Sequence, residues 1–391
     1  MEWKTLAELS LATVLRCGQS FRWKQNGDVW SIGYKGRVIF LKHEQDQLHY
    51  ADIFSETNKS AAKLSTHDII NDYFSLDTKL SDLYLQWSEK DPHFKKIAAT
   101  DFHGIRILRQ DPWENLCSFI CSTNNNIKRI SQMVENLCLH FGDYISDHDG
   151  IKYYDFPTPV QLSDPSVEAK LRQLGFGYRA KYIQKTAQMI SEHPEGVASL
   201  IKLREIPYQD AHKSLLQYVG VGPKVADCVC LMSLDKHDCV PVDTHVWQIA
   251  QRDYKFGRNY KTLTKTAYEA VGDFFRNTWG EYAGWAHSVL FAADLRDLNN
   301  GQSKNTTKSP EAKAPTKTKK RVRVKSEEDK ENISDITAKV EIKLETTDDT
   351  IKINAMKTDV TESKKHIPVL GEELVHESVS ERLKKRRRVK V

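Results

Sequence analysis

The chain has 391 residues, 39% of them apolar and 28% charged, which is enough to bury one large core or two. Its formal charge of +5 is unevenly spread: residues 299–391 carry 23 basic and 16 acidic side chains, a net of +7, whereas residues 1–298 carry 35 and 37, a net of −2. Bulk charge on the folded part is therefore no evidence for nucleic-acid binding, and no apolar run near the N-terminus is long enough for secretion or membrane spanning, so a soluble intracellular protein with no membrane partner is expected.

Elements can be read in chain order. Gln25-Asn26-Gly27-Asp28 lies between Phe21-Arg22-Trp23 and Val29-Trp30-Ser31-Ile32, and Asn-Gly between aromatic and β-branched residues predicts a hairpin. A second hairpin is predicted at Lys35-Gly36, leading into 37–41. Residues 1–110 are accordingly expected to form an antiparallel sheet domain with some helix. Asp111-Pro112-Trp113-Glu114 then reads as an N-cap, a proline at the first helical position and an acidic capping-box partner. Trp113, Leu116, Phe119 and Ile120 follow on one helical face. After Asn124-Asn125-Asn126 a helix is predicted over 128–140, another from Ser163-Asp164-Pro165 to Gly175, and another from the Gly177-Tyr178-Arg179 turn through Met189. Helices are predicted on both sides of Gly220-Val221-Gly222 and over 263–295, so 111–298 is expected to be helical throughout. The fold class is α+β.

Beyond Phe291 there is no aromatic residue and no cysteine. So little apolar surface cannot offset chain entropy, and 299–391 is expected to be a disordered basic tail. Its clusters Lys317-Thr318-Lys319-Lys320-Arg321 and Lys384-Lys385-Arg386-Arg387-Arg388 point to nuclear import. The seven cysteines, an odd number, fit free thiols in a reducing compartment. Cys117 and Cys121 lie four apart, but no partner pair at zinc spacing follows, so no metal site and no cofactor are expected.

Chemistry concentrates in one stretch. Val219-Gly220-Val221-Gly222-Pro223 is followed by Lys224, and nineteen residues later Asp243 stands in Val240-Pro241-Val242-Asp243-Thr244-His245. Glycines around one apolar residue make a tight hairpin whose backbone N–H groups and following helix N-terminus can hold a DNA phosphate without reading a base, although glycines also serve ordinary helix–helix corners. The positive end of that helix favours the neutral, nucleophilic form of an amine placed there. Asp243 supplies a carboxylate, and it is also placed to cap the helix that starts at Thr244.

With Asn124-Asn125-Asn126-Ile127, Gly175-Phe176-Gly177-Tyr178-Arg179-Ala180 and Tyr282-Ala283-Gly284-Trp285-Ala286 in the same order, the chain resembles the eukaryotic 8-oxoguanine DNA glycosylases of the helix-hairpin-helix superfamily. The resemblance runs from about Gly18 to Arg296. It implies a monomer that excises 8-oxoguanine opposite cytosine from duplex DNA and nicks the abasic strand. Lys224 is then the nucleophile and Asp243 the carboxylate that stabilises positive charge on the sugar. Asn124 is implied to fill the space left by the flipped base, Arg129 and Arg179 to donate to the orphaned cytosine, and Tyr178 to wedge beside it. Gly220, Gly222 and His245 are implied to meet the DNA backbone. The Gly18 carbonyl would accept the N–H that oxidation adds to guanine, between slot faces formed by Cys228 and Phe291. The family's glutamine after Tyr-Ala-Gly-Trp-Ala is replaced by His287, expected to line the base pocket and read the lesion's pairing edge. With an ordinary pKa of about 6.5, it is expected to become a double donor in mild acid. Two rivals stay open: a helix-hairpin-helix glycosylase for another oxidised or alkylated base, and a protein that only binds damaged DNA, which needs neither Lys224 nor Asp243.

Overall fold

A computed structural model describes residues 4–299 except 6–7, 45–46, 57–62, 101 and 258–259. The disorder and basic clusters expected of the tail beyond that point lie outside the described residues.

The N-terminal part is an antiparallel sheet of β1 (Lys4–Thr5), β2 (Lys24–Asn26), β3 (Val29–Tyr34), β4 (Arg37–Glu44) and β5 (Gln47–Phe54), in the order β1-β5-β4-β3-β2. Both predicted hairpins are present. Lys35 and Gly36 take positive φ (52° and 73°), which lets a two-residue turn pair Tyr34 with Arg37. Alternation along the strands sorts side chains onto two faces. Trp30, Ile32, Ile39 and Leu41 pack on Leu11, Val14 and the helix Thr66–Tyr73, while Val38 faces the other way onto Ile145 and Tyr153.

Those last two residues belong to an element that the sequence reading did not foresee. Within the stretch expected to be all helical, β6 (Tyr144–His148) and β7 (Ile151–Tyr154) form a hairpin. Its turn is Asp149-Gly150, both at positive φ (50° and 73°). The hairpin exists because the second face of the sheet needs an apolar cover, and aromatic and β-branched residues flanking Asp-Gly supply one.

Helices fill the remainder: Leu80–Lys90, Pro92–Ala98, Pro112–Ser122, Ile127–Phe141, Pro159–Ser163, Pro165–Gln173, Arg179–Glu192, Ala198–Ile201, Tyr208–Leu215, Pro223–Ser233, Thr244–Asp253, Lys265–Trp279 and Ala283–Asn299. The run expected over 263–295 is broken at Gly280, whose φ of 83° ends one helix before a short 3-10 turn opens the next. Leu80, Trp87 and Phe94 join the same apolar cluster as Trp113, Leu116 and Phe119. Pro112–Ser122 is nearly enclosed, and Asp111 caps it by accepting from the Trp113 and Glu114 amides at 3.0 Å each.

Glu114 does not complete a capping box. Its carboxylate instead meets buried Arg22, with Nη1 donating to Oε2 at 2.8 Å, while Nη2 of Arg22 donates to the carbonyls of Gly33 (2.6 Å) and Tyr154 (2.7 Å). One guanidinium thus joins the sheet, the β6–β7 hairpin and the central helix. Burial pushes the Glu114 carboxyl upward against the opposing pull of Arg22. An uncompensated charge at such a site costs about 3–5 kcal/mol, so the pair locks the two parts in one arrangement.

All seven cysteines are free and buried. Among the described residues, no helix is long and apolar enough to cross a membrane, and no cluster of three or more His, Cys, Asp or Glu is placed to hold a metal ion.

Candidate active site

Lys224 occupies the first turn of the helix Pro223–Ser233, and the N-cap Gly222 has no side chain to close that turn, so the leading amides are left for an outside acceptor such as phosphate. Gly220 takes φ 84°, and a Cβ there would lie 2.4 Å from the Tyr182 ring. The hairpin accepts only glycine at that position.

The Lys224 side chain lies across the Phe119 ring, Nζ 5.1 Å from its centroid, and lines a pocket that it shares with Gly18, Cys228, Asp243, His287 and Phe291. Asp243 enters the same pocket from the start of a second helix. Its Oδ1 accepts from the His245 amide at 2.9 Å and the Val246 amide at 3.1 Å. Two helix N-termini therefore converge, one carrying the amine and the other the carboxylate.

Cys228, one turn beyond Lys224, forms part of the wall; burial pushes its thiol up to about 11, partly opposed by Lys224, so it stays a neutral S–H. Phe291 and His287 come from the last helix, their rings 6.0 Å apart, and His245 meets Phe291 edge-on at 5.9 Å. His245 Nδ1 also lies 3.3 Å from the buried Asp294 carboxylate, and that hydrogen bond raises the imidazole pKa.

The sheet domain contributes Gly18, at φ 86° and with a Cβ position 3.4 Å from Ile127. Its loop is fixed by a neighbour. The Gln19 amide donates to the Arg106 carbonyl (2.8 Å) and accepts from the Leu108 amide (3.0 Å), while Gln110 donates to the Gln19 carbonyl (2.9 Å). Sequence reasoning missed Gln19, Gln110, Cys17 and Phe119. Phe119 was legible only as one residue of a buried helical face.

Two loop tips meet beside the pocket-bearing helices. Asn124, exposed and at φ 48°, sits in one, and Tyr178 and Arg179 in the other. Tyr178 is 44% exposed, yet its hydroxyl donates to the Thr123 carbonyl at 3.1 Å. Arg179 is 3% exposed: Nη2 donates to the Thr123 and Asn124 carbonyls, the latter at 3.1 Å, and Nε has no partner. Exposed Arg129 donates to the Gly175 carbonyl at 3.1 Å. Both arginines thus donate to loop carbonyls.

Comparison with known proteins decides the family. Residues 3–116 match the 8-oxoguanine DNA glycosylase N-terminal domain, and residues 117–272 match the HhH-GPD superfamily of base excision DNA repair proteins. The chain is 40% identical to an N-glycosylase/DNA lyase of Saccharomyces cerevisiae over 77% of its own length and 88% of the yeast protein. It is also 40% identical to the N-glycosylase/DNA lyase OGG1 of Arabidopsis thaliana, over 74% and 79%. The chain belongs to the 8-oxoguanine DNA glycosylase/lyase family. The Clostridium acetobutylicum 8-oxoguanine glycosylase/lyase, solved with duplex DNA containing cytosine opposite 8-oxoguanine, superimposes with a TM-score of 0.63 at 27% identity, covering 76% of this chain and 99% of that one.

His287 is the position where this glycosylase/lyase departs from expectation in its chemistry. It lines the pocket, but it is 6% exposed and both ring nitrogens are buried, with no more than a weak contact to the Gly284 backbone. Burial pushes its pKa down to about 4. Burial therefore opposes the mild-acid switch to a double donor, because desolvation disfavours the imidazolium by more than nearby Asp243 favours it. The consequence shifts to stability. With a native pKa below the unfolded value, the unfolded chain binds the proton first, so stability is lost as pH falls through the window from about 6.5 to about 4. Between pH 7 and pH 5 this one residue should cost about 2 kcal/mol. In urea unfolding at both pH values, His287→Gln should lose less stability than the native chain by about that amount; equal losses would mean the imidazole is solvated.

Proposed function

We propose that this enzyme flips 8-oxoguanine paired with cytosine out of duplex DNA into the pocket between Gly18, Cys228, His287 and Phe291, and excises it there. The reading is carried by the convergence of Lys224 and Asp243 on one pocket from two helix N-termini. Nζ attacks the anomeric carbon and the bond from that carbon to the base breaks, its electron pair leaving on the base; the attached nitrogen then gives up one proton and the C1′–O4′ bond of the sugar opens, O4′ taking a proton, to leave a protonated Schiff base. Asp243 stabilises the positive charge growing on the sugar. The iminium then acidifies the neighbouring deoxyribose carbon, and β-elimination expels the 3′ phosphate.

In this reading Asn124 fills the vacated space, Tyr178 wedges beside it, and Arg129 and Arg179 exchange their loop carbonyls for the acceptors on the orphaned cytosine. Gly220, Gly222 and the start of the hairpin helix hold a phosphate, with His245 at the second helix start facing the same backbone. The Gly18 carbonyl accepts the N–H present in 8-oxoguanine and absent from guanine; an unmatched buried pairing costs about 1–3 kcal/mol, which favours the lesion. No cofactor takes part, and one copy of the chain carries the complete site. The working division is a sheet domain (1–110), a catalytic helical core (111–298) and a basic tail (299–391) that directs nuclear import and adds salt-sensitive attraction to DNA.

Borohydride trapping on duplexes carrying 8-oxoguanine opposite each of the four bases tests this function. A trapped adduct strongest opposite cytosine is the expected result, and the absence of an adduct opposite all four bases would rule out 8-oxoguanine as the substrate. A chain ending at Leu298 should keep its single-turnover excision rate at low salt and lose nuclear accumulation; a large drop in rate would move the domain boundary into the tail.

A further inference from the structure

Beneath the pocket lies a buried polar cluster that the reaction as described does not use. Asp227 is 1% exposed and sits on the lysine's own helix, three residues beyond Lys224. Its Oδ1 accepts from the Tyr208 hydroxyl at 2.7 Å, and its Oδ2 accepts from the Tyr268 hydroxyl. Tyr268 comes from the helix Lys265–Trp279.

The two tyrosines differ in one respect. A hydroxyl has one proton to donate and lone pairs left to accept, and the Tyr268 oxygen also receives the Val242 amide at 3.4 Å. Val242 is 1% exposed and directly precedes Asp243. Its neighbour Pro241 has no N–H, so the buried strand of chain leading to the carboxylate has few backbone donors with which to anchor itself. Cys239, at the start of that segment, adds a weak contact, its Sγ donating to the Asp227 carbonyl at 3.4 Å. Tyr208 has no hydrogen bond to this segment among the described residues.

We propose that Tyr268 is a positioning residue for Asp243: its hydroxyl, fixed by Asp227 on the Lys224 helix, holds the Val242 amide and so sets the distance between carboxylate and amine. The proposal rests on the reading of Asp243 as the charge-stabilising carboxylate. One oxygen ties together the two elements that carry the reacting pair, and the pair's geometry is inherited from the core beneath it. Displacing a reacting group by about 1 Å can cost on the order of 100-fold in rate.

Single-turnover excision of 8-oxoguanine opposite cytosine by Tyr268→Phe, Tyr208→Phe, Asp243→Asn and the double variant Tyr268→Phe/Asp243→Asn tests it, at a temperature where circular dichroism shows each variant folded. Tyr268→Phe should slow excision by about 10- to 100-fold with duplex affinity unchanged. Tyr208→Phe deprives Asp227 of an equivalent partner and should excise at the native rate. In the double variant the tyrosine change should cost nothing further, since a positioning residue has no effect once the group it positions is gone. Equal losses in the two tyrosine variants, or full additivity with Asp243→Asn, would reduce Tyr268 to general core stability and overturn the proposal. A native rate in Asp243→Asn would instead overturn the reading of Asp243 itself.

Discussion

Lys224→Gln should abolish the borohydride-trapped adduct and lower excision of 8-oxoguanine by on the order of 10⁴-fold or more, a loss typical of removing a covalent nucleophile. Glutamine keeps the reach and polarity of the side chain but has no amine to form a Schiff base. Binding should survive, because the amides proposed to hold phosphate belong to the Gly220–Gly222 hairpin and the open first turn of the helix, neither of which depends on Nζ. A filter-binding measurement on the same duplex separates the two effects. An adduct that persists in the glutamine variant would transfer the nucleophile's role to another amine, and a parallel loss of binding would recast Lys224 as a DNA contact. Nζ lies over Phe119 in the wall of the pocket that also receives Asp243.

The sequence made the local parts of this architecture readable. Gly27 and Lys35-Gly36 mark turns because positive φ is required there, and Asp111-Pro112 marks a helix start because its carboxylate and proline act within one turn. Asp149-Gly150 carries the same kind of hairpin signal as Asn26-Gly27, within a stretch whose flanking segments are helical. Glu114 shows the limit more sharply. Its spacing from Asp111 suits a capping box, yet a guanidinium 92 residues away in the chain claims the carboxylate, and no local pattern announces a partner at that separation.

The same limit applies at the site. Lys224 and Asp243 stand out because glycine, proline and charge cluster around them, whereas Phe119, Gln19 and Tyr268 are ordinary residues until the fold brings them to the pocket or beneath it. For His287 the residue type was readable and its protonation was not, since burial in the finished pocket sets the pKa.

Asp243 joins a structural and a chemical role in one side chain, and two substitutions separate them. Asp243→Asn keeps an oxygen where Oδ1 now accepts from the His245 and Val246 amides, so the cap survives and stability should change by no more than about 0.5 kcal/mol. The negative charge is gone, and with it the stabilisation of the cationic sugar. Excision should fall by about 10²- to 10³-fold, the usual effect of removing one preorganised electrostatic group from a dry site. Asp243→Ala removes charge and cap together: it should match the asparagine variant in rate and lose a further 1 kcal/mol or so in denaturant unfolding, the ordinary cost of an empty N-cap. The comparison is informative because capping alone predicts the opposite pattern, with asparagine near the native rate and only alanine impaired. If that pattern appears, the carboxylate serves the helix and another group must stabilise the sugar cation. If the asparagine variant is folded, binds the lesion duplex and is slow, the charge at the start of the Thr244–Asp253 helix belongs to the reaction.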